Sequence, residues 1–500
     1  MSKIGVRGRG PGAGTRWLAA LALFVTAAPA ASMGESIEKL IAASPASRAA
    51  FWGIEIVDLK SGRTLFAQNA GRFFVPASNT KLFTTSLALT RLGPDFTFQT
   101  RVLADAPPDR SGRIAGDVRL VGGGDPNLSP RPIPYQKGPI TGDPLAVIAQ
   151  LADQLAARGV KRIDGNVVGD DSWYVWEPYG AGWGIDDPQY DYGAPVSALT
   201  INDNTLTIGV RPGTREGDPA AIAVNPPLEY YTVDNRVHTA APGTAGRIWS
   251  HRAPGRYQLE LWGTIPLGGR GEELALGIED PAEYAALALR QALEERGITV
   301  AGEAVARHAL EGETVEPAVG EELARRDSAP LLDDLRVTAK VSQNLHAEMA
   351  LRSVGRAARG EGSVQAGLEE LQAFLGEAGV GPEGYGIHDG SGLARVNLVT
   401  PHTVVELLRY VYDGPQRENF ISILPVGGQD GTLGTRFAGI LAASRIHAKT
   451  GSLSHVAALS GYAQRAKGDW VAFSILVNNF NGPAGEVRGV MDRICSLLLD

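Results

Sequence analysis

Strand-like and helix-like runs sit near both ends of the chain, each with a readable boundary. Residues 51–59, FWGIEIVDL, are dense in aromatic and β-branched side chains. A Ser61-Gly62 turn and the run RTLFA follow, which predicts a β-hairpin over 51–67. A short helix is expected before it, over 36–43. After Pro76-Ala77, apolar residues recur at 82, 83, 87, 89 and 92, and Gly93-Pro94 ends the run. That spacing predicts an amphipathic helix over 78–92 with Ser78 at its N-terminus. Near the other end, 445–452, 457–464 and 470–478 have strand character. The last two are joined by the turn Ala466-Lys467-Gly468-Asp469, and a closing helix is predicted over 485–498.

A sheet built from both chain ends, with helices between, predicts an α/β sandwich whose middle accepts inserted chain. The middle has that look. Two helical runs, 145–158 and 281–296, are each followed by a glycine, an apolar residue and a strand, at Gly159-Val160 and Gly297-Ile298. Between them, 208–272 is strand-like with Pro-rich turns. The predicted organisation is a principal domain of 35–96 and 316–500, an inserted α/β domain of 97–207 and 273–315, and a small β domain of 208–272 nested in the insert.

Five hundred residues fit two or three domains. The first thirty read as a secretory signal: Lys3, Arg7, Arg9 and Arg16 precede the apolar run WLAALALFVT, and Ala28-Pro29-Ala30 fits the cleavage pattern. Cleavage after Ala30 leaves no later run of the ~20 apolar residues that a membrane span needs. The expected location is therefore periplasmic or secreted. The formal net charge of -8 argues against a nucleic-acid binder, whose usual mark is a basic patch. The lone cysteine, Cys495, lies in an apolar run and reads as a small core residue. The eight histidines form no pair at H-x-x-x-H spacing, so no metal or other cofactor is expected.

Three short patterns carry candidate chemistry. Ser78-Asn79-Thr80-Lys81 is S-x-x-K at a helix start. Three residues along a helix is about 300° of rotation and ~4.5 Å of rise, which puts the hydroxyl and the amine on one face. Backbone N–H groups at a helix N-terminus also favour negative charge developing near Ser78. For Lys81 to act as a base its pKa must fall from ~10.4 by about three units, through burial or a nearby cation. Ser342-Gln343-Asn344 is S-x-N, which alone suggests only a cap or a turn. Lys449-Thr450-Gly451, on a predicted strand, offers a cation and a hydroxyl for a carboxylate, and a glycine past which a substrate backbone can approach. Together and in this order, the three are the set of β-lactamases and penicillin-binding proteins. The roughly 260 residues between Ser78 and Ser342 far exceed the spacing in a class A β-lactamase.

The chain resembles the class C low-molecular-mass penicillin-binding proteins, the D-alanyl-D-alanine carboxypeptidase/endopeptidases of peptidase family S13. Beyond the three motifs, Gly124-Asp125-Pro126, the segment 183–204, the block 389–395 (DGSGLAR) with Thr400-Pro401, Leu424-Pro425-Val426 with 430–433, and 459–462 are similar to that family's other blocks. The resemblance implies a serine β-lactamase/transpeptidase-like α/β sandwich with an antiparallel sheet. It implies acyl transfer on peptidoglycan stem peptides and cross-links, and β-lactams as covalent inhibitors. Ser78 would be the nucleophile and Lys81 its base. Ser342 and Lys449 would deliver a proton to the leaving amine, with the Lys449 charge also depressing the Lys81 pKa. Asn344 would hold the acyl-side amide. Thr450, Gly451 and Ser452 would bind the terminal part of the substrate, the Ser452 N–H completing an oxyanion hole with that of Ser78. Asp170, with Asp171 as the neighbouring option, would meet the amino end of the stem-peptide side chain, and Arg395 would line the cleft. His346 and His447 are expected to be structural neighbours of the site, Gly122-Gly123-Gly124 lacks the sequel of a phosphate loop, and Gly390-Ser391-Gly392 lacks the spacing of a nucleophile elbow. A β-lactamase and a slow penicillin-sensing or wall-binding relative stand as alternatives. The sequence leaves a homo-oligomer open.

Overall fold

The computed structural model describes residues 32–500 except Pro317. The expected signal segment, 1–30, lies outside the described residues. Both chain ends meet in one antiparallel sheet of five strands, in the order Ile446–Leu453, Val456–Gln464, Trp470–Asn478, Phe51–Asp58, Thr64–Gln68. The seam between the two ends is continuous, from Phe51 opposite Asn478 to Asp58 opposite Val471.

Each face of this sheet is buried, and the two-residue alternation of a strand divides its side chains between two cores. Trp52, Ile54, Ile56, Phe473, Ile475 and Val477 pack with Val487, Met491 and Ile494 of the closing helix Ala484–Ser496. Val57, Ala472 and Leu476 face the opposite core, with Phe83, Leu351 and Phe374 from the helical layer. Burial on both faces explains why the strands read as nearly unbroken apolar runs. Cys495 is buried in the first core, as a small apolar side chain.

The helix that follows Ser78 departs from expectation. A 3-10 turn, Ala77–Asn79, precedes the α-helix Thr80–Arg91, whose residues 80–89 are all buried. The helix is central, not amphipathic. Its hydroxyls are satisfied internally: Thr84 Oγ1 donates to Gly390 O (2.7 Å), Thr85 Oγ1 to Lys81 O (2.6 Å) and Ser86 Oγ to Phe83 O (3.0 Å).

The insert is built on a second five-stranded sheet, in the order Ala304–Ala309, Val167–Val175, Val118–Val121, Gln99–Ala104, Glu321–Asp327. Helices Ala146–Ala157 and Pro281–Glu294 pack on it. The short strands after these helices, Arg162–Ile163 and Thr299–Val300, run parallel as neighbours. The domain boundary at 316 falls short, because Glu321–Asp327 pairs with Gln99–Ala104 and belongs to the insert. It is an edge strand carrying exposed charge at Arg325 and Asp327, a common guard on exposed edges that masks strand character in the sequence. The strands between 205 and 277 form two further three-stranded sheets. Their Ile208, Val210, Val237 and Leu261 join the same core as Leu151, Val167 and Leu289, so the nested piece shares the insert's core and has none of its own.

Candidate active site

The turn carrying Ser78 is held by close backbone packing. Ala77 takes φ 48°, a left-handed conformation rarely tolerated outside glycine. A Cβ on Gly392 would lie 1.9 Å from Ala77 O, so the loop behind the turn requires glycine. A Cβ on Gly451 would lie 2.6 Å from Pro76 O. The glycine of K-T-G thus lets its strand close on the Ser78 turn. This corrects its expected role of admitting substrate, since its missing side chain faces protein. Asn79 Nδ2 completes the junction by donating to Lys449 O at 2.9 Å.

Lys81 is buried. Its Nζ lies 3.1 Å from Ser78 Oγ, 2.6 Å from Asn344 Oδ1 and 2.7 Å from Ser391 O. Burial pushes its pKa down to about 7, against the pull of the Asp389 and Glu348 carboxylates. A neutral amine has two N–H donors and one lone pair. With the two donors on the acceptor-only oxygens of Asn344 and Ser391, the lone pair is left to accept the Ser78 hydroxyl proton. The expectation that Lys449 depresses Lys81 is corrected here, since burial does so. Lys449 is itself held well below its usual range, by burial and then by the charge of Lys81.

Ser342 lies between helices Leu331–Lys340 and Asn344–Arg359 with φ 65°, another left-handed residue that is not glycine. Lys449 Nζ donates to its Oγ at 2.8 Å and to Thr450 O at 2.8 Å. Asn344 Nδ2 donates to Tyr192 O, in the insert, at 2.8 Å. The five residues expected at the core of the site, Ser78, Lys81, Ser342, Asn344 and Lys449, therefore meet in one place. Neighbouring Lys340 is turned away, held by Asp430 Oδ2 (2.6 Å) and Leu424 O (2.8 Å).

Two buried acids support the site without pairing with Lys81. Glu348 Oε1 accepts the N–H groups of Gly390 and Ser391 at 3.0 and 2.9 Å, while Oε2 pairs with Arg352. Asp389 accepts from Gly392 N, Ala394 N, Asn397 Nδ2 and Trp183 Nε1. Together they fix the loop that presents Ser391 O to Lys81. Sequence reasoning missed this role, although Asp389 opens the block D-G-S-G and Glu348 follows the S-x-N asparagine by four residues. A buried acid beside Gly-Ser-Gly, whose N–H groups have no helix or sheet to pair in, was the available signal.

A cavity of about 560 Å³ opens over Ser78, lined also by Asn344, Tyr192, Arg395, Ser452 and Asp186. Arg395 is tied to Ser454 O at 2.9 Å. The K-T-G strand is an edge strand, and Ala448 N–H donates outward across that edge to Pro425 O. By the alternation of two, the N–H groups of Thr450 and Ser452 face the same edge. The Ser452 hydroxyl is turned to Arg488 (2.7 Å), and Thr450 Oγ1 bonds Thr432 Oγ1 (2.8 Å).

Asp170 is not part of this cavity. It is 3% exposed on strand Val167–Val175 and accepts from Ser172 N and Oγ at 3.0 and 2.5 Å. Asp171 is also buried, bonded to Ser197 and His308. Acid-Ser sequences that read as a turn are here a buried strand whose side chains bond locally. The acids at the cavity wall are Asp186 and Asp187. His346 and His447 make no contact with Ser78: His346 is bonded between Asp203 and Asp334, and His447 packs near Trp470, with ring centroids 5.8 Å apart. Among the described residues, no group of three or more His, Cys, Asp or Glu side chains is arranged to hold a metal ion.

Comparison with known proteins places this architecture. The profile of the D-Ala-D-Ala carboxypeptidase 3 (S13) family matches residues 33–497. A D-alanyl-D-alanine carboxypeptidase of Actinomadura sp. (strain R39) is 35% identical over 451 residues, covering 88% of this chain and 80% of that protein. The D-alanyl-D-alanine carboxypeptidase DacB of Haemophilus influenzae is 27% identical over 422 residues, covering 83% and 82%. The crystal structure of penicillin binding protein 4 (dacB) from Haemophilus influenzae shares the fold, with a TM-score of 0.80 at 24% identity over 93% of this chain and 99% of that one.

The Lys81 environment sets a pH dependence. Below about 7 the amine carries a third proton, and its lone pair no longer accepts from Ser78. The rate at which an acylating agent modifies Ser78 is expected to rise roughly tenfold per pH unit up to about 7 and then level off. A stopped-flow acylation profile that stays flat from pH 5 to 8 contradicts the assignment.

Proposed function

This chain belongs to the D-Ala-D-Ala carboxypeptidase 3 (S13) family, and from that membership and its cleft we propose an exported serine-type D-alanyl-D-alanine carboxypeptidase that also cuts peptidoglycan cross-links. The observation that carries the reading is the hydrogen bonding of buried Lys81 to both Ser78 and Asn344, which line the cavity, with Ser342, two residues before Asn344, bonded to Lys449.

In this mechanism Ser78 Oγ attacks the carbonyl carbon of the penultimate D-alanine while its proton passes to Lys81 Nζ. The N–H groups of Ser78 and Ser452 stabilise the oxyanion. Collapse breaks the C–N bond, and the leaving amine takes the proton of the Ser342 hydroxyl, which the proton taken up by Lys81 replaces, while Lys449 Nζ donates to Ser342 Oγ and steadies it. Thr450, Lys449 and Arg395 bind the terminal carboxylate, and Asn344 orients the acyl-side amide. Water then attacks the ester carbonyl and gives a proton to the neutral Lys81, which passes it to Ser78 Oγ as the C–O bond breaks. In a cross-link, the leaving amine is the side chain of a neighbouring stem peptide, and the same steps amount to endopeptidase action. β-Lactams enter through the same acylation. The Haemophilus influenzae protein of like fold has been solved in complex with a β-lactam, which supports this part of the reading.

A β-lactamase would need a group that readies water against the stable penicilloyl ester. The acids around Lys81, Glu348 and Asp389, are spent on backbone N–H groups and Arg352, which favours slow release and hence the peptidase. Export rests on the N-terminal run. Among the described residues, no helix is long and apolar enough to cross a membrane.

The acid expected to meet the amino end of the stem-peptide side chain is reassigned to Asp186. It is exposed on the cavity wall, while Asp187 spends one oxygen on Gly184 N–H (2.6 Å).

Digestion of purified sacculi, read by mass spectrometry after a muramidase has freed the muropeptides, should show released D-alanine and a gain of un-cross-linked muropeptides, with loss of both on Ser78→Ala or penicillin treatment. Fast repeated turnover of nitrocefin, with sacculi untouched, contradicts the peptidase reading. Asp186→Asn is expected to lower kcat/KM for a stem peptide with an amino side chain by about tenfold, the worth of one charged hydrogen bond. β-Lactam acylation should stay within about twofold of the parent, because it lacks that amine. Equal losses in both assays would remove Asp186 from the role.

A further inference from the structure

Ser342 and Asn344 must be aimed in opposite directions, one at Lys449 and one at Lys81, from a segment whose backbone is left-handed at Ser342. Little in the helical layer explains that conformation, but a buried polar network from the insert does. Asp203 sits on the insert's loop between two asparagines, and all three residues have positive φ, at 50°, 56° and 53°. A run of three left-handed residues without glycine persists only where the surroundings enforce it, and such runs gather at functional sites. Here Asn204 enforces it, with Nδ2 on Pro195 O (2.8 Å) and Oδ1 receiving Ile201 N (3.2 Å). The outcome is to extend the Asp203 carboxylate into the principal domain.

There Asp203 Oδ2 accepts from Gln343 Nε2 at 2.9 Å, and Oδ1 meets His346 Nε2 at 3.1 Å. Gln343 is the middle residue of S-x-N and the N-cap of the helix, its Oε1 accepting Leu345 N at 3.0 Å. His346 is 0% exposed, and its Nδ1 is bonded to Asp334 Oδ1 at 2.7 Å, on the helix before Ser342. Asp203 is also paired with Arg131 of the insert, and Asp334 accepts from Asn127 Nδ2, also of the insert, at 2.8 Å. Burial opposes charge on His346, but Asp334 and Asp203 on either side outweigh it and lift the pKa to about 9, so the imidazolium bridges both acids at neutral pH. The S-x-N segment is thereby gripped at residues 343 and 346, with Ser342 and Asn344 free to face the cavity.

We propose that Asp203 is a positioning residue for acyl transfer: through Gln343 and His346, the insert holds the S-x-N segment in the conformation that presents Ser342 to Lys449 and Asn344 to Lys81. The insert then has a part in catalysis beyond walling the cleft. The inference rests on the Ser78 acyl-enzyme reading above, and a parent protein that forms no adduct would refute that reading instead of this one.

The test is the rate of covalent labelling of the full-length protein by a fluorescent penicillin, in a double-mutant cycle of Asp203→Asn with Ser342→Ala. Asp203→Asn is expected to slow labelling by about tenfold or more, the scale of a small misplacement of catalytic groups. Full stoichiometry should still be reached, which a mere loss of folded protein would prevent. In the Ser342→Ala background the same change should cost clearly less than in the parent, because one of the two groups it aims is gone. Asp280→Asn, which loosens His308 elsewhere in the insert, should leave the rate within about twofold of the parent. A parental rate in Asp203→Asn, the same fold loss in both backgrounds, or an equal loss in Asp280→Asn would overturn the proposal. If Asp203→Asn does not fold, His346→Gln takes its place in the cycle with the same expected and contrary outcomes.

Discussion

Two lysine amines are buried near enough for the charge of one to act on the other, and that constraint shapes the rest of the site. Removing an ammonium from water costs several kcal/mol unless it is paired or neutral. Lys81 and Lys449 are both fully buried. A carboxylate in direct contact with Lys81 would keep it charged and useless as a base. The structure supplies neutral oxygens from Asn344, Ser391 and Ser78, and spends the nearby acids on backbone N–H groups. Glu348 and Asp389 still act on Lys81 through space, which keeps its pKa near neutrality when burial alone would drive it lower. A base poised at about 7 has both the lone pair to take a proton and the basicity to hold it.

Rigidity follows from the same need. The amine serves as a base only if its lone pair points at Ser78, so every partner must be fixed. The helix after Ser78 is buried along most of its length, glycines at 392 and 451 let backbone meet backbone, and Ala77 and Ser342 hold left-handed conformations beside Ser78 and Lys449. The insert closes the remaining side, with Tyr192 O on Asn344 and Asp203 on the S-x-N helix. An insert that shares hydrogen bonds with the motifs it interrupts is part of the site's frame.

Much of this was legible in the sequence because local rules agree with the tertiary outcome. The three central strands of the principal sheet are buried on both faces and appear as nearly unbroken apolar runs, and S-x-x-K at a helix start places its two side chains by helix geometry alone. What stayed hidden depends on distant partners. Glu321–Asp327 is an edge strand dressed in charge, so its pairing with Gln99–Ala104 leaves little trace. Asp170 and Asp186 both follow glycine-containing stretches, and only the tertiary fold decides that one bonds to its own Ser172 while the other faces the cavity. Gly451 looked like an opening for substrate and is an opening for Pro76 O. The depression of Lys81 was foreseen, but its cause is burial and not its cationic neighbour, a distinction that no spacing rule carries.

The central claim is that Lys81 is largely neutral at physiological pH while in contact with Ser78. Its most direct test is a titration of the Lys81 side-chain resonance by NMR, in protein labelled at lysine and assigned with Lys81→Arg. The account predicts a midpoint at about 7. A midpoint near the ordinary lysine value of about 10.4 would contradict it.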